Sequence, residues 1–368
     1  MRSIFAVLLL CALSSAPAHA KRAKNVILLL ADAGGVSTVN AASILGYDAP
    51  QKLYIQSWPN VALSDTSTAS RWVSDSAAGM TAIVTGHKTH NGVISQGPDG
   101  ERGKRDGTAV MTILEYAERH GLATGVISNM PITDATPGAC YAHVNDRGKW
   151  GEIFQQLLTP RIGDGVDILF GPGRKRIWDL AAKSNIDLDR LAREKNRPVL
   201  TSLDEVEPGA RRALVVVDSG FDLNRAVKMA IPALAANKKG FFLMIESDAH
   251  TDNPEAGLGR LVAFDKLIRE IAGMVNLKET LLLFTADHSF DLRLKGGTRG
   301  EPILKGLDDW KQKGAKGPVR IPAMMVDGSH TGEEVVAAAT GPGSERVKGF
   351  LSNTDLFKIM MAAYGWKE

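Results

Sequence analysis

Apolar residues in this chain gather in short unbroken runs, and several runs lead straight to a residue able to ligate a metal. NVILLL leads to Asp32, GFFLMI to Glu246, TLLLF to Asp287 and His288, and IPAMMV stops shortly before His330. Short buried runs bounded by turns read as inner strands of a parallel sheet, whose carboxyl edge is where such folds carry their sites. A core has no use for these stops, because a buried carboxylate or imidazole without a partner costs several kcal/mol or changes its protonation. A metal is the expected partner.

The same pattern predicts a first strand over 25–31, then a polar segment of small residues through Ser70, then a helix starting near Ser76. Residues 108–120 place Val110, Met111, Leu114 and Ala117 at helical spacing and stop at Gly121, a fitting C-cap, before the strand-like LATGVIS. The alternation continues with a short helix around 151–158, the strand VDILF, a charged helical region near 177–195, and ALVVVD at 213–218. A helix over 257–275 separates two ligand-bearing strands, which is the crossover that parallel neighbours require. Two stretches read as peripheral additions: 174–212, rich in Lys, Arg, Asp and Pro, and 295–320, where Gly and Lys gather between two ligand runs as in a loop over a site.

Composition narrows the field. A chain of 368 residues, 44% hydrophobic and 23% charged, buries an ordinary globular core. Its net charge of +3, with no basic stripe among aromatics, gives no nucleic-acid footprint. Residues 1–20 read as a cleaved secretory signal: Arg2, the apolar stretch Ile4 to Leu13, then Ala18-His19-Ala20. The stretch falls short of the roughly 20 apolar residues that span a bilayer, so no stable membrane anchor is expected. Leu8, Leu9 and Leu10 before Cys11 speak against a lipoprotein. The expected mature chain is one domain over 21–368, periplasmic or secreted. It keeps Cys140 alone, which rules out an internal disulfide and reads as a buried inert thiol.

The ligand set is Asp32, Glu246, Asp248, His250, Asp252, Asp287, His288 and His330. Imidazole with carboxylate suits zinc, whereas carboxylate with hydroxyl and water suits magnesium. Two ions about 3.5 to 4 Å apart can clamp the attacking and leaving oxygens of an in-line phosphoryl displacement. Asp75-Ser76-Ala77-Ala78-Gly79-Met80 puts a hydroxyl at the start of a small-residue helix, where N–H groups and the dipole favour phosphate. Ser74 or Asp75 also suits a plain cap there. In ITDATPGACYAHVNDRGKW, Asp134 and Thr136 are hard oxygen donors, and Arg147 offers a planar fork for two phosphate oxygens. His87, His90 and His143 lack such a setting and read as structural.

In motif order from about residue 25 to 365, the chain resembles the alkaline phosphatase family: the strand ending at Asp32, DSAAGMTAIVTG, TDATPGACYAHVNDR, VDILFGPGRK, GFFLMIE, TADHS and HTGEEV. The resemblance implies an α/β fold, a three-layer α/β/α sandwich with a largely parallel central sheet, and two Zn2+ ions with one Mg2+. It implies that Asp32 bridges one zinc and the magnesium, that Asp287 and His288 complete that zinc beside Ser76, and that Thr136 and Glu246 hold magnesium, with Asp134 orienting its waters. His330 is then the ligand of the other zinc. The family usually places an Asp and then a His four residues later after the glutamate, but here the chain reads Glu246-Ser-Asp248-Ala-His250-Thr-Asp252. Asp248 and His250 are therefore assigned to the His330 zinc, with Asp252 as the substitute. Ala33 stands where the family commonly has Gly.

The expected activity is exported, metal-dependent hydrolysis of small phosphate monoesters through a phosphoserine on Ser76, with Arg147 holding the phosphoryl oxygens. The alternatives are a phosphodiesterase on the same fold and a non-enzymatic protein that captures metal or phosphate. A sulfatase would need a C/S-x-P-x-R context, which Ser76 lacks. Dimerisation is common in the family, and a homodimer is an expectation that no surface pattern of this chain supports.

Overall fold

The computed structural model describes residues 22–314 and 317–367; the signal expected over residues 1–20 lies outside them. The strands are β1 (Asn25–Asp32), β2 (Asn60–Ser64), β3 (Ala123–Ser128), β4 (Ile168–Pro172), β5 (Val199–Leu200), β6 (Ala213–Val217) and β7 (Phe241–Asp248). They continue with β8 (Thr280–Thr285), β9 (Ser289–Leu294), β10 (Val319–Arg320), β11 (Met324–Thr331), β12 (Val335–Thr340) and β13 (Gly349–Leu351). Among the described residues, ten of them form one sheet in the order β13-β2-β12-β8-β1-β7-β3-β4-β6-β5. Every pairing in it is parallel except those of β12 with β2 and β8.

β1, β7 and β8 each carry an unbroken apolar run, VILLLA, FFLMI and LLLF, because both faces of a parallel sheet are covered. Leu28, Leu30, Val126, Met244 and Leu283 point into one core, lined by the helices Ser76–Thr85, Ile113–His120, Trp150–Leu158 and Asn353–Tyr364. Ile27, Leu29, Ile127, Ile245 and Leu282 point into the other, under the helices Val36–Tyr47, Leu223–Ala235 and Pro254–Met274. Each such side chain, buried, contributes about 1.5–3 kcal/mol. The result is the three-layer α/β/α sandwich with a largely parallel sheet.

Two features depart from the pattern reading. IPAMMV is not an inner strand of the parallel sheet: it runs into β11 of a separate antiparallel sheet, ordered β10-β11-β9. An apolar run reports burial and not the direction of its neighbour. The polar segment before Ser70 holds the helix Val36–Tyr47 and β2. That helix buries Thr38, Ala41, Ala42 and Ser43, so small polar residues stand where a contiguous apolar stripe would announce a helix. No helix among the described residues is long and apolar enough to cross a membrane.

Candidate active site

In register, Leu30 of β1 pairs with Glu246 of β7 and with Thr285 of β8, so Asp32, Glu246 and Asp287 emerge together at the carboxyl ends of three adjacent strands. All three are buried. The Ser76 hydroxyl arrives from the side. The helix Ser76–Thr85 is buried along its whole length, is capped by Asp75 accepting from Ala78 N at 3.1 Å, and ends at Gly86 in the left-handed region. Gly79 lets it approach the rim, because a Cβ there would lie 2.2 Å from the carbonyl oxygen of Asp287. Ser76 Oγ thereby sits 3.2 Å from His288 Nε2.

The imidazoles share one arrangement. His330 Nδ1 donates to the Ser74 carbonyl at 2.9 Å, His288 Nδ1 to the Ser289 carbonyl at 3.1 Å, and His250 Nδ1 to Asp248 Oδ1 at 2.9 Å. A carbonyl or carboxylate accepts and cannot donate, so each Nδ1 carries a proton, and in its neutral form each ring presents a lone pair on Nε2. Ligand atoms of His250, His288 and His330 lie within 4.8 Å of one another, as do those of Asp32, Asp287 and His288. The rings of His288 and His330 stack with centroids 3.8 Å apart.

Electrostatics point the same way. Burial pushes the Glu246 carboxyl well above its ordinary range, and the charges of Asp32, Asp287 and Asp134 add to this against a short hydrogen bond from Ser128. Burial and Asp32 push Asp287 up to about 6. Burial would raise Asp32 as well, but contact with His288 and the charges of His288, His250 and Arg147 hold it below its ordinary range. Burial opposes charge on His288, yet Asp287 and Asp32 lift it to about 9, while burial and the neighbouring imidazoles press His330 down to about 4. Asp32 Oδ1 is buried without a hydrogen-bond partner, although His288 Nε2 lies 3.2 Å away. Carboxylates forced to protonate beside imidazoles pulled both ways are what a divalent cation resolves, so the donor set fits metal.

Arg147 bridges Asp75 Oδ2 at 3.2 Å and Asp134 Oδ1 at 2.9 Å. Burial works against its charge, but the two carboxylates more than offset that and keep the guanidinium cationic. Asp134 also accepts from Ala135 N, and Thr136 Oγ1 donates to Asp287 Oδ2 at 3.4 Å. A cavity of about 350 Å3 is lined by Asp32, Ser76, Met130, Asp134, Arg147, Asp248, His250, Asp252 and His330.

The structure thus brings Asp32, Ser76, Asp287, His288, His250 and His330 together, with Thr136 and Glu246 beneath them and Asp134 with Arg147 at one wall. Asp252 lies exposed on the rim and joins neither group of converging ligand atoms. Asp248 joins neither group as well; it faces Arg260 at 2.7 Å. Sequence reasoning missed Arg260, Ser128 and Asn129, the last accepting from Asp248 N at 2.9 Å. Cys140 is buried and free. His87, His90 and His143 bond elsewhere, His143 to Glu115 at 3.1 Å.

A family model for alkaline phosphatases matches residues 23–201 and 218–325. Alkaline phosphatase 4 of Drosophila melanogaster is 28% identical over 363 residues, which cover 78% of this chain and 59% of that protein. The alkaline phosphatase of Escherichia coli is 28% identical over 424 residues, 94% of this chain and 87% of its own length. The chain spans 59% of the fly protein and 66% of the mouse tissue-nonspecific isozyme, each less than two thirds of that relative's length. The structure of alkaline phosphatase from the Antarctic bacterium TAB5 shares the fold, with a TM-score of 0.76 at 23% identity over 95% of this chain and 99% of that one. With the family match running through the strands that carry Asp32, Glu246 and Asp287 and through the helix of Ser76, the chain belongs to the alkaline phosphatase family.

Proposed function

We propose that this protein is an exported, metal-dependent phosphatase that hydrolyses small phosphate monoesters through a phosphoserine on Ser76. The observation that carries the reading is Ser76 Oγ, 3.2 Å from His288 Nε2 at a buried helix start, in one cavity with Asp32, His330 and the cation of Arg147. Asp32, Asp287 and His288 would hold one zinc, and His250 with His330 a second, Asp248 and Asp252 being the nearby carboxylates. Glu246, Thr136 and Asp32 would hold magnesium, beside Asp134; a mutant of the TAB5 enzyme carries bound Mg. Bound cations would supply Lewis acidity, making the Ser76 hydroxyl easier to ionise and neutralising charge on the phosphoryl group.

The chain's own groups supply the rest. Asp75 takes the N–H of Ala78, leaving the N–H groups ahead of it in the first turn free to face an anion. Arg147 uses two of its five N–H donors on Asp75 and Asp134, so the fork is oriented and the remaining donors are free for equatorial oxygens. Ser76 Oγ attacks phosphorus as the ester P–O bond breaks and the alcohol departs with a proton; water then attacks phosphoserine, freeing phosphate and the hydroxyl. Export is supported by the signal pattern of residues 1–20.

Ser76→Ala is expected to abolish turnover of an aryl phosphate monoester and the phosphoenzyme trapped at mildly acidic pH. Undiminished hydrolysis by that variant would refute the mechanism, and faster turnover of a diester than of a monoester would redirect the reading to phosphodiesters.

A further inference from the structure

The turn after Glu246 is short, and its packing gives Asp248 a task different from the metal donor expected of it. Oδ1 of Asp248 accepts from the His250 backbone N–H at 2.9 Å and from His250 Nδ1 at 2.9 Å, which occupies both lone pairs of that oxygen. Oδ2 faces Arg260 Nη2 at 2.7 Å, in a charge-assisted contact. Arg260 also donates from Nε to the Asp248 carbonyl at 2.9 Å and from Nη2 to the His250 carbonyl at 3.4 Å. One guanidinium therefore grips the carboxylate and both ends of the turn.

The backing is rigid on two further sides. Asn129 Oδ1 accepts from Asp248 N at 2.9 Å. Gly257, on the same helix as Arg260 (Pro254–Met274), packs so closely under the turn that a Cβ would lie 2.0 Å from the His250 carbonyl oxygen. A cation taking Asp248 as a donor would have to displace a His250 N–H from Oδ1 or sit on Oδ2 beside the Arg260 cation, whereas His250 Nε2 has no hydrogen-bond partner among the described residues and its ring lies beside those of His288 and His330.

We infer that Asp248 and Arg260 are positioning residues: the carboxylate stands behind His250 and fixes its tautomer and ring angle, and Arg260 anchors that carboxylate. The single residue between Asp248 and His250 makes this possible, because it lets one carboxylate oxygen reach the backbone and the ring of the same histidine. The inference rests on the metal reading of the histidine cluster given above.

Cobalt(II) titration of the metal-stripped full chain, read by d–d absorption and by competition with a chelator, tests it. Asp248→Asn and Arg260→Ala are expected to bind the same number of Co2+ ions per chain as wild type with an unchanged absorption intensity, but with the cluster ion held about 10- to 100-fold more weakly. Arg260→Lys, which keeps the charge and loses the fork, is expected to recover part of that affinity. His250→Ala, a true ligand loss, is expected to bind one Co2+ fewer. The inference is overturned if Asp248→Asn also loses one ion per chain, or if Arg260→Ala binds Co2+ as tightly as wild type. A wild-type chain that takes up no Co2+ at the cluster would instead refute the underlying metal reading, and the inference with it.

Discussion

Burial decides the protonation of Glu118, which is 8% exposed on the helix Ile113–His120. Desolvation, with the charges of Asp167 and Asp164, pushes its carboxyl from 4.5 up to about 7 against hydrogen bonds from Thr124 and Gly165 N. A carboxyl raised on folding stabilises the native state in its protonated form, fully below about pH 4.5 and progressively less as pH climbs to about 7. Glu118→Gln, which stays neutral, should therefore gain stability relative to wild type between pH 5 and pH 8, by up to about 3 kcal/mol; denaturant unfolding at both pH values measures it. Ala33, beside Asp32, is held at φ +66° where glycine is at ease. Its methyl is fully buried, which offsets much of that strain. At this scale the residues with special chemistry stood out from the chain itself, since Ser76, His288 and Asp287 sit beside run ends or a helix start. Arg260 did not, because an arginine on an exposed helix face looks the same whether it meets water or clamps Asp248.

Close approach of elements sets the geometry that those residues need. The helix Ser76–Thr85 can bring its first turn to the rim only while position 79 has no side chain, since a Cβ would meet the Asp287 carbonyl oxygen at 2.2 Å. Gly79→Ala should push the helix off β8, lowering kcat/KM for an aryl phosphate by about 10²-fold and costing about 1–3 kcal/mol of stability; steady-state kinetics and thermal unfolding report the two effects separately. Helices with sequence-visible ends were legible as elements: Thr112 and Glu115 form a capping box, and Gly121 closes the helix in the left-handed region. Val110 and Met111 stand at helical spacing with Leu114 and Ala117 and still lie ahead of it, because the Thr112 cap starts the helix only at Ile113. Periodicity alone does not locate a cap.

Across the whole molecule, the core strands are the part that the chain announces and the periphery is the part it conceals. β1, β7 and β8 are built around near-continuous apolar runs, whereas β2 and β13 are short and partly exposed and half of β12 is alanine. Their place in the sheet depends on pairing partners distant in the chain. The buried acids at the rim of this sheet repel one another unless a cation joins them, so metal removal should act on stability and not on turnover alone. A chelator should lower the unfolding temperature by several degrees, and excess Zn2+ with Mg2+ should restore it, since a ligand at 100 times its Kd stabilises by about 2.7 kcal/mol; differential scanning calorimetry with and without metal measures the shift. His330 adds a constraint of time. It rides on the small antiparallel sheet and bonds the Ser74 carbonyl 256 positions earlier in the chain. On the proposed chemistry, a polypeptide still being synthesised stays inert toward the esters around it until its last imidazole has been made and folded home.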